Sequence, residues 1–297
     1  MNILNMIPTI MMVTAPILIT AIGGMICERS GVVNVALEGL MSIGACAAAC
    51  TAFILQSTGA GGGSVWVGVL IAMLISGIIS LIHAVAAIDL KANQTISGTG
   101  INLLADGITI FACQVLFGMD RTDTIPIRMH TDGLGFYPSF YIAIGVVVLS
   151  WFVLYKTPFG MHLRACGEHP AAADSVGINV RRVRYIGVFV SGVLGGLAGA
   201  CAVMTQTTQF TSTLIGGRGF IALAAVAFGR WTPIGVLGAS VLFGASQALS
   251  VLLSGTSIPS EVFNIIPYAI TLIALIAFSG KDFAPRSAGL PYEKSSS

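Results

Sequence analysis

Hydrophobic residues in this chain are grouped into long runs that are separated by polar breaks. Several runs contain no charged side chain, for example 65–88 and 262–279. A run of about 18 or more apolar residues is long enough to cross the hydrocarbon core of a bilayer as a helix. The runs do not alternate in the way that strands of a membrane barrel must, so each of them predicts a helix.

The runs together predict an all-α fold, a polytopic transmembrane helical bundle of about nine spans, with about eight to ten as the range. The spans are expected near 8–26, 32–55, 65–88, 94–117, 139–155, 185–205, 212–229, 234–254 and 262–279. The second contains Glu38, and the seventh is rich in glycine and contains Arg218. Broken helices are therefore expected in each half of the chain.

Composition supports a membrane protein without a soluble domain. Only 9% of the residues are charged and 55% are hydrophobic, whereas a soluble domain carries about 25% charged residues. Basic and acidic residues nearly balance, which gives no indication of a nucleic-acid partner. The first run, 8–27, lacks a basic segment before it, so it is interpreted as a span and not as a signal peptide.

The distribution of basic residues predicts the orientation. The connection 156–184 is expected to be cytoplasmic, because it carries Lys156, Arg164, Arg181, Arg182 and Arg184. Alternation along the chain then places the N-terminus outside and the C-terminus in the cytoplasm. The chain divides into a transmembrane domain, 1–284, and a tail, 285–297, whose prolines and serines predict disorder.

Motifs for soluble chemistry are absent from the sequence. It contains no nucleotide-binding loop, no nucleophile elbow and no zinc signature. The six cysteines form no C-x-x-C pair, and the four histidines do not complete a ligand spacing with them. We therefore expect no metal, no cofactor and no catalytic residue, and transport driven either by an ion gradient or by a partner protein.

Polar residues within the apolar runs are the candidates for a substrate path. Asn34 and Glu38 are four residues apart and are expected on one helix face, as are Asn102 and Asp106. Such faces can line a polar path. Equally, Glu38 can cap a broken helix, and for Asp106 a packing role is the favoured interpretation. Arg218, among glycines, and Phe220 complete the predicted path.

The cytoplasmic connection contains a predicted short helix. Pro170 can open it and Gly177 can end it. Such an element can dock into the groove of a partner protein. The alternative is an interfacial helix that only joins two spans.

Four ordered motifs carry a family resemblance. The stretch 160–179, G-x-x-x-R-A-x-G-x-x-P-x-A-A-x-x-x-G-I-N, resembles the coupling loop of ribose- and nucleoside-type permeases of bacterial ABC transporters. The stretch 28–39, ERSGVVNVALEG, resembles the signature of the shorter nucleoside-type subunit. The stretches 92–104 and 219–231 are similar to the same branch of the branched-chain amino acid and simple-sugar permease superfamily.

The resemblance implies a permease subunit of an ATP-driven importer in the bacterial inner membrane. Implied partners are a second, longer permease, a cytoplasmic ATPase that binds ATP and Mg²⁺, an extracytoplasmic substrate-binding lipoprotein and membrane lipid. Nucleosides are the first implied substrates, and riboflavin and simple sugars are the alternatives. The implied ATPase-coupling residues are Arg164, Gly167, Glu168, Pro170, Ala171, Ala172, Ala173, Asp174 and Gly177. A secondary transporter driven by an ion gradient is the competing class.

Overall fold

The computed structural model describes residues 6–253 and 283–293, with Ile265 and Ala269 as isolated positions. Over these residues the regular elements are helices, which confirms the predicted fold class. The helices are α1 (Ile7–Arg29), α2 (Leu37–Ser57), α3 (Gly63–Ala84, extended by a π-helical turn Val85–Asp89), α4 (Gln94–Phe117), α5 (Pro138–Lys156), α6 (Pro158–Glu168), α7 (Pro170–Ser175), α8 (Val180–Gln206), α9 (Arg218–Phe228) and α10 (Pro233–Leu253).

Seven helices in the described part of the chain are long and apolar enough to cross a membrane, namely α1 to α5, α8 and α10. The predicted count of nine is therefore not confirmed. The run 212–229 forms only the 11-residue helix α9. A helix of that length spans roughly 17 Å, about half of the hydrocarbon core. Of the predicted ninth span, 262–279, only the isolated positions Ile265 and Ala269 are among the described residues, so the span itself lies outside the described part of the chain.

The core of the bundle is formed by α1, α2, α3 and α8. Helix α8 carries two overlapping small-residue ridges, and each ridge contacts a different neighbour. A Cβ at Gly192 or Gly196 would meet Ser76 or Ser80 of α3, and a Cβ at Gly199 would meet the Met41 carbonyl of α2. Glycine is needed here because the helix backbones approach each other directly.

Helices α4 and α5 form an outer layer with large apolar side chains exposed. Leu103 and Phe111 of α4 and Val148 and Leu149 of α5 are each more than 60% exposed. In a membrane such faces contact lipid or another membrane protein.

The expected break before the second span is present. It is an unwound segment and not only a kink in a continuous helix. Residues 30–36 are not helical, and α2 begins only at Leu37. The prediction that Asn34 and Glu38 share one helix face is therefore wrong, because Asn34 lies in this unwound segment. The reason is local, since Gly31 has a φ of +97° and turns the chain out of α1.

Two ends of the bundle can be distinguished. The basic end contains α6, α7, the first turn of α8 and Arg29. The opposite end contains the connection 118–137, which lies along the connection 207–217. An isolated β-bridge between Arg121 and Thr211 joins these two connections, as does the Ile125 amide, which donates to the Thr208 carbonyl at 2.7 Å.

The final described segment, 283–293, contacts the basic end, although the tail 285–297 is predicted to be disordered. The Ser287 amide donates to the Gly167 carbonyl at 2.9 Å, and the Ser287 hydroxyl contacts the same carbonyl at 2.6 Å. These contacts are made with carbonyls at the end of α6, which the composition of the tail does not reveal. We call residues 283–293 the C-terminal strap.

Candidate functional site

The carboxylate of Glu38 joins the two broken regions of the chain. The Gly217 amide donates to Glu38 Oε1 at 2.7 Å, and the Gly219 amide donates to Oε2 at 2.6 Å. These amides belong to the start of α9, where backbone donors have no partner within the helix. A carboxylate at this position also has a favourable interaction with the helix dipole. The structure thus places Glu38 as the N-terminal cap of α9.

The unwound segment 30–36 is held by side chains of three other helices. Gln94 Oε1 of α4 accepts from the Val33 amide at 2.7 Å. His83 Nε2 of α3 lies 3.0 Å from the Val33 carbonyl, so this nitrogen must carry the proton, since a carbonyl only accepts. Asn34 Nδ2 donates to Ser191 Oγ of α8 at 3.0 Å.

Asn102 attaches the unwound segment to the start of α2. Its Oδ1 accepts from the Gly39 amide at 2.8 Å, and its Nδ2 donates to the Val35 carbonyl at 3.0 Å. A side-chain amide is well suited to this position, because it supplies one acceptor and one donor on the same group. In hydrocarbon an unpaired backbone group costs several kcal/mol, so Asn102 stabilises the break.

The predicted path residues fall into two groups. Asn34 is fully buried, and its Oδ1 accepts from the Ala36 amide, so both ends of the side chain are hydrogen-bonded. Asp106 and Phe220 are exposed, and Phe220 is 47% exposed. Arg218 is half-buried, and its Nη1 has no hydrogen-bond partner.

Arg218 and Phe220 lie in the first turn of α9, which Glu38 caps, and Asp106 lies one turn after Asn102, whose Oδ1 binds the amide of the residue next to Glu38. We call the surface formed by Asp106, Arg218 and Phe220 around Glu38 the junction face. Asp106 lies in the middle of α4, and Arg218 starts α9. Ionisable side chains at membrane depth are unfavourable in lipid and are found facing a cavity or another protein segment.

At the basic end, the predicted short helix is present as α7. Pro170 occupies its first turn, and Gly177 follows it with a φ of +87°. Ala171 and Ala172 are exposed, whereas Ala173 is buried against the bundle. One face of α7 is therefore anchored and the opposite face is open.

The coupling-loop residues also contact the membrane helices. Glu168 lies 3.9 Å from Arg29 at the end of α1. A Cβ at Gly167 would collide with the Arg29 carbonyl, so only glycine allows this close approach. The Arg164 guanidinium lies 5.1 Å from the centre of the Tyr155 ring, within cation–π range. Burial and the neighbouring Asp174 carboxylate raise the pKa of Tyr292 in the C-terminal strap.

The sequence profile of one protein family matches residues 6–275, nearly the whole chain. Its description reads branched-chain amino acid transport system, permease component. The chain belongs to this permease family. The family resemblance given by the four sequence motifs is thereby confirmed.

The permease is also similar to individual transport proteins, two of which align over nearly their full length. It is 44% identical to the guanosine ABC transporter permease protein NupQ of Bacillus subtilis, over 97% of this chain and 96% of that protein. It is 39% identical to the nucleoside ABC transporter permease protein NupC of Lactococcus lactis, over 99% of this chain and 100% of that protein. A guanosine ABC transporter permease protein of B. subtilis named NupP is 28% identical, over 52% of this chain and 44% of that protein.

Several residues that hold the unwound segment or the end of α1 in place were not predicted from the sequence. His83 and Gln94 support the unwound segment, and Ser191 binds Asn34. Trp231 was also missed, and its Nε1 donates to Glu28 Oε2 at 2.5 Å. A signal was available for His83 and Gln94, because both are strongly polar residues inside or at the start of apolar runs. Ser191 offers no such signal, since serine is common in membrane helices.

Among the described residues of the permease, no group of three or more His, Cys, Asp or Glu side chains has a geometry that could hold a metal ion. Cys46 does lie near two other thiols, with its Sγ 3.9 Å from that of Cys50 and 4.0 Å from that of Cys113.

Proposed function

We propose that this chain is the membrane permease subunit of an ATP-driven ABC importer that brings nucleosides into the cell. The observation that carries the proposal is the end-to-end similarity to NupQ and NupC, whose names specify guanosine and nucleoside transport. The chain serves as the transport subunit, and ATP hydrolysis takes place in a separate ATPase that binds ATP and Mg²⁺.

The junction face is proposed to border the translocation path, opposite a second permease. Support comes from Asp106 and Phe220, which are exposed at membrane depth although a charged group there is unfavourable in lipid. The Phe220 ring can cover the flat face of a nucleobase, and Asp106 can accept hydrogen bonds from its N–H groups or from ribose hydroxyls. The partner is proposed to be a longer permease, because B. subtilis has both NupQ and NupP as guanosine permeases.

The basic end is proposed to face the cytoplasm and to dock the ATPase through α7. Support comes from its concentration of lysine and arginine and from the open face of Ala171 and Ala172. The N-terminus is then outside and the C-terminus in the cytoplasm. An extracytoplasmic lipoprotein is proposed to deliver substrate at the opposite end, in the bacterial cytoplasmic membrane.

The proposed function is tested by measuring nucleoside uptake in the host organism after its gene for this chain has been inactivated. Uptake of labelled guanosine, adenosine and uridine is measured with and without the wild-type gene supplied in trans. We expect nucleoside uptake to fall on inactivation, to recover on complementation, and to be competed by unlabelled nucleosides. Competition by riboflavin or ribose, with none by nucleosides, would assign the substrate to those alternatives.

The energy source is tested in the same cells. An uncoupler is added while cellular ATP is maintained, and we expect uptake to continue. Collapse of uptake under these conditions would establish the secondary-transporter class and overturn the ABC assignment.

A further inference from the structure

The connection between α9 and α10 is a strained turn. Arg230 and Trp231 both have positive φ angles, of +51° and +52°, in a region that is sparsely populated by residues with a Cβ. The helices on either side approach closely, since a Cβ at Gly229 would lie 2.3 Å from the Val236 amide nitrogen. Residues in such a conformation need support from the surrounding structure, and they are concentrated at functional sites and switch regions.

The support for this turn comes from the last two residues of α1. Trp231 Nε1 donates to Glu28 Oε2 at 2.5 Å, and Arg29 Nε donates to the Trp231 carbonyl at 3.0 Å. Glu28 is 7% exposed, so its carboxyl group depends on the indole donor more than on water. The side chain and the backbone of Trp231 are therefore both fixed to the end of α1.

Arg29 also contacts the predicted coupling loop, 160–179. Its Nη1 lies 3.9 Å from Glu168 Oε1, and its carbonyl oxygen would lie 2.3 Å from a Cβ at Gly167. The ion pair by itself contributes little, because the Glu168 side chain is 43% exposed. The close backbone contact at Gly167 is the firmer of the two. Arg29 thus touches the segment just before α7 on one side and the strained turn on the other.

A guanidinium is suited to this double contact. It carries donors on its Nε and on both Nη nitrogens, which point in different directions. The Nε of Arg29 can therefore bind the Trp231 carbonyl while its Nη1 faces Glu168. A lysine at this position would keep the charge but would offer one nitrogen to both partners. Arg29→Lys therefore separates the geometry of the link from its charge.

Helix α9 joins the strained turn to the junction face. The turn follows the C-terminal end of α9, and Glu38 caps its N-terminal end, where Arg218 and Phe220 lie. The 11 residues of α9 span roughly 17 Å. Because packed helices shift as rigid units, a displacement of the turn reaches the opposite end of α9.

We propose that Arg29 is a positioning residue for transport, which connects the coupling loop to α9 through the strained turn. Displacement of the coupling loop by the ATPase shifts the turn, and α9 carries the shift to the junction face. This role rests on the proposed function, which supplies the ATPase at α7 and the substrate path at the junction face. Coupling between two sites requires an element with two arrangements whose balance both sites affect. The strained turn supplies that element, because its conformation is unfavourable without the bonds from α1.

The test uses the complete transporter, purified from the host organism through a tag on this chain and reconstituted into liposomes. Transport of labelled guanosine and hydrolysis of ATP are measured in the same preparation, which gives the guanosine transported per ATP. The variants are Arg29→Lys, Trp231→Phe, which removes the indole donor, and the two combined. The matched control is Arg182→Lys, which makes the same exchange at an exposed arginine of the basic end.

We expect Arg29→Lys and Trp231→Phe to keep the ATPase bound and to keep most of the ATP hydrolysis, while the guanosine transported per ATP falls roughly fivefold or more. The double variant should lose no more than the stronger single variant, because both changes release the same turn. Arg182→Lys should match the wild type. A change that only weakened the fold would lower transport and hydrolysis together and would leave their ratio unchanged.

If Arg29→Lys does not assemble, the ratio in Trp231→Phe decides. An unchanged ratio in both single variants of an active transporter would overturn this role of Arg29 and leave the proposed function standing. Additive losses in the double variant, or an equal loss in Arg182→Lys, would also overturn it. If the wild type transports no guanosine with ATP, the proposed function fails and this role fails with it.

Discussion

Glu38 and Asp106 show how two carboxylates in neighbouring helices take different roles. Both Glu38 oxygens accept backbone amides of α9, whereas Asp106 is exposed. In the sequence the two interpretations of Glu38 are equally supported, because the distance to residues 217–219 cannot be read from a pattern. The contacts of the folded chain supply the capping role.

Replacing Glu38 with alanine is expected to destabilise the protein. The change leaves two amides at the start of α9 without an acceptor, and hydrogen bonds to a charged group contribute about 1.5–3 kcal/mol each. We expect a lower melting temperature in detergent and a loss of uptake. Glu38→Gln keeps one acceptor oxygen and is expected to recover part of the stability. Equal melting temperatures for wild type and Glu38→Ala would contradict the capping role.

Asp106→Asn tests the proposed substrate path, whereas Glu38→Ala tests the cap of α9. Its side chain is exposed and lies outside the bonds that hold the break, so we expect an unchanged melting temperature and at least a severalfold reduction of nucleoside uptake. Thr99→Val serves as a control, because Thr99 is an exposed residue of the same helix whose hydroxyl bonds only to its own helix backbone. Normal uptake by Asp106→Asn would remove this carboxylate from the proposed path.

Alanine replacement of Asn34 or Asn102 would not test substrate contact cleanly. Both side chains bind the backbone of the unwound segment, so a loss of uptake would report on the break itself. The sequence correctly singled out these residues as unusual for an apolar run. It could not show that their hydrogen bonds are made within the chain.

Helix α7 offers a direct test of coupling at the level of an element. Ala172 is exposed, so Ala172→Glu should leave the bundle folded while it places a bulky charge on the open face. We expect ATP-dependent uptake to be lost and co-purification of the ATPase to be weakened.

Ser57→Glu adds the same charge to an exposed position at the opposite end and is the matched control for Ala172→Glu. It should retain both activities. Retention of uptake and of ATPase binding by both variants would remove the coupling role of α7.

Helix boundaries were predictable where caps or sharp breaks mark them. Pro170 and Gly177 correctly bracket α7, and the apolar runs correctly locate the seven long helices of the described chain. The length of α9 was not predicted, although Gly216 and Gly217 before Arg218 mark the break at which it begins. Hydropathy indicates that a segment lies in an apolar environment. It does not distinguish a helix that spans the bilayer from a shorter helix packed within the bundle.

For the whole molecule, orientation remains a prediction that labelling can test. All six native cysteines are free thiols, so they are first replaced to give a cysteine-free background. A single cysteine is then introduced in place of Asp174 or of Ser57. We expect a membrane-impermeant reagent to label position 57 in intact cells and position 174 only after permeabilisation. Labelling of position 174 in intact cells would reverse the proposed topology and exclude ATPase docking at α7.

The cap between Glu38 and α9 has a consequence for how the protein is made. Glu38 and its two donors, the Gly217 and Gly219 amides, are separated by 179 and 181 residues in the sequence. Glu38 therefore leaves the ribosome long before the amides that donate to it are synthesised. An 11-residue helix is too short to enter the bilayer as an independent span. We infer that α9 is integrated late, after α2 and α8 are in place, and that the nascent chain holds Glu38 in a hydrated or protein-shielded environment until then.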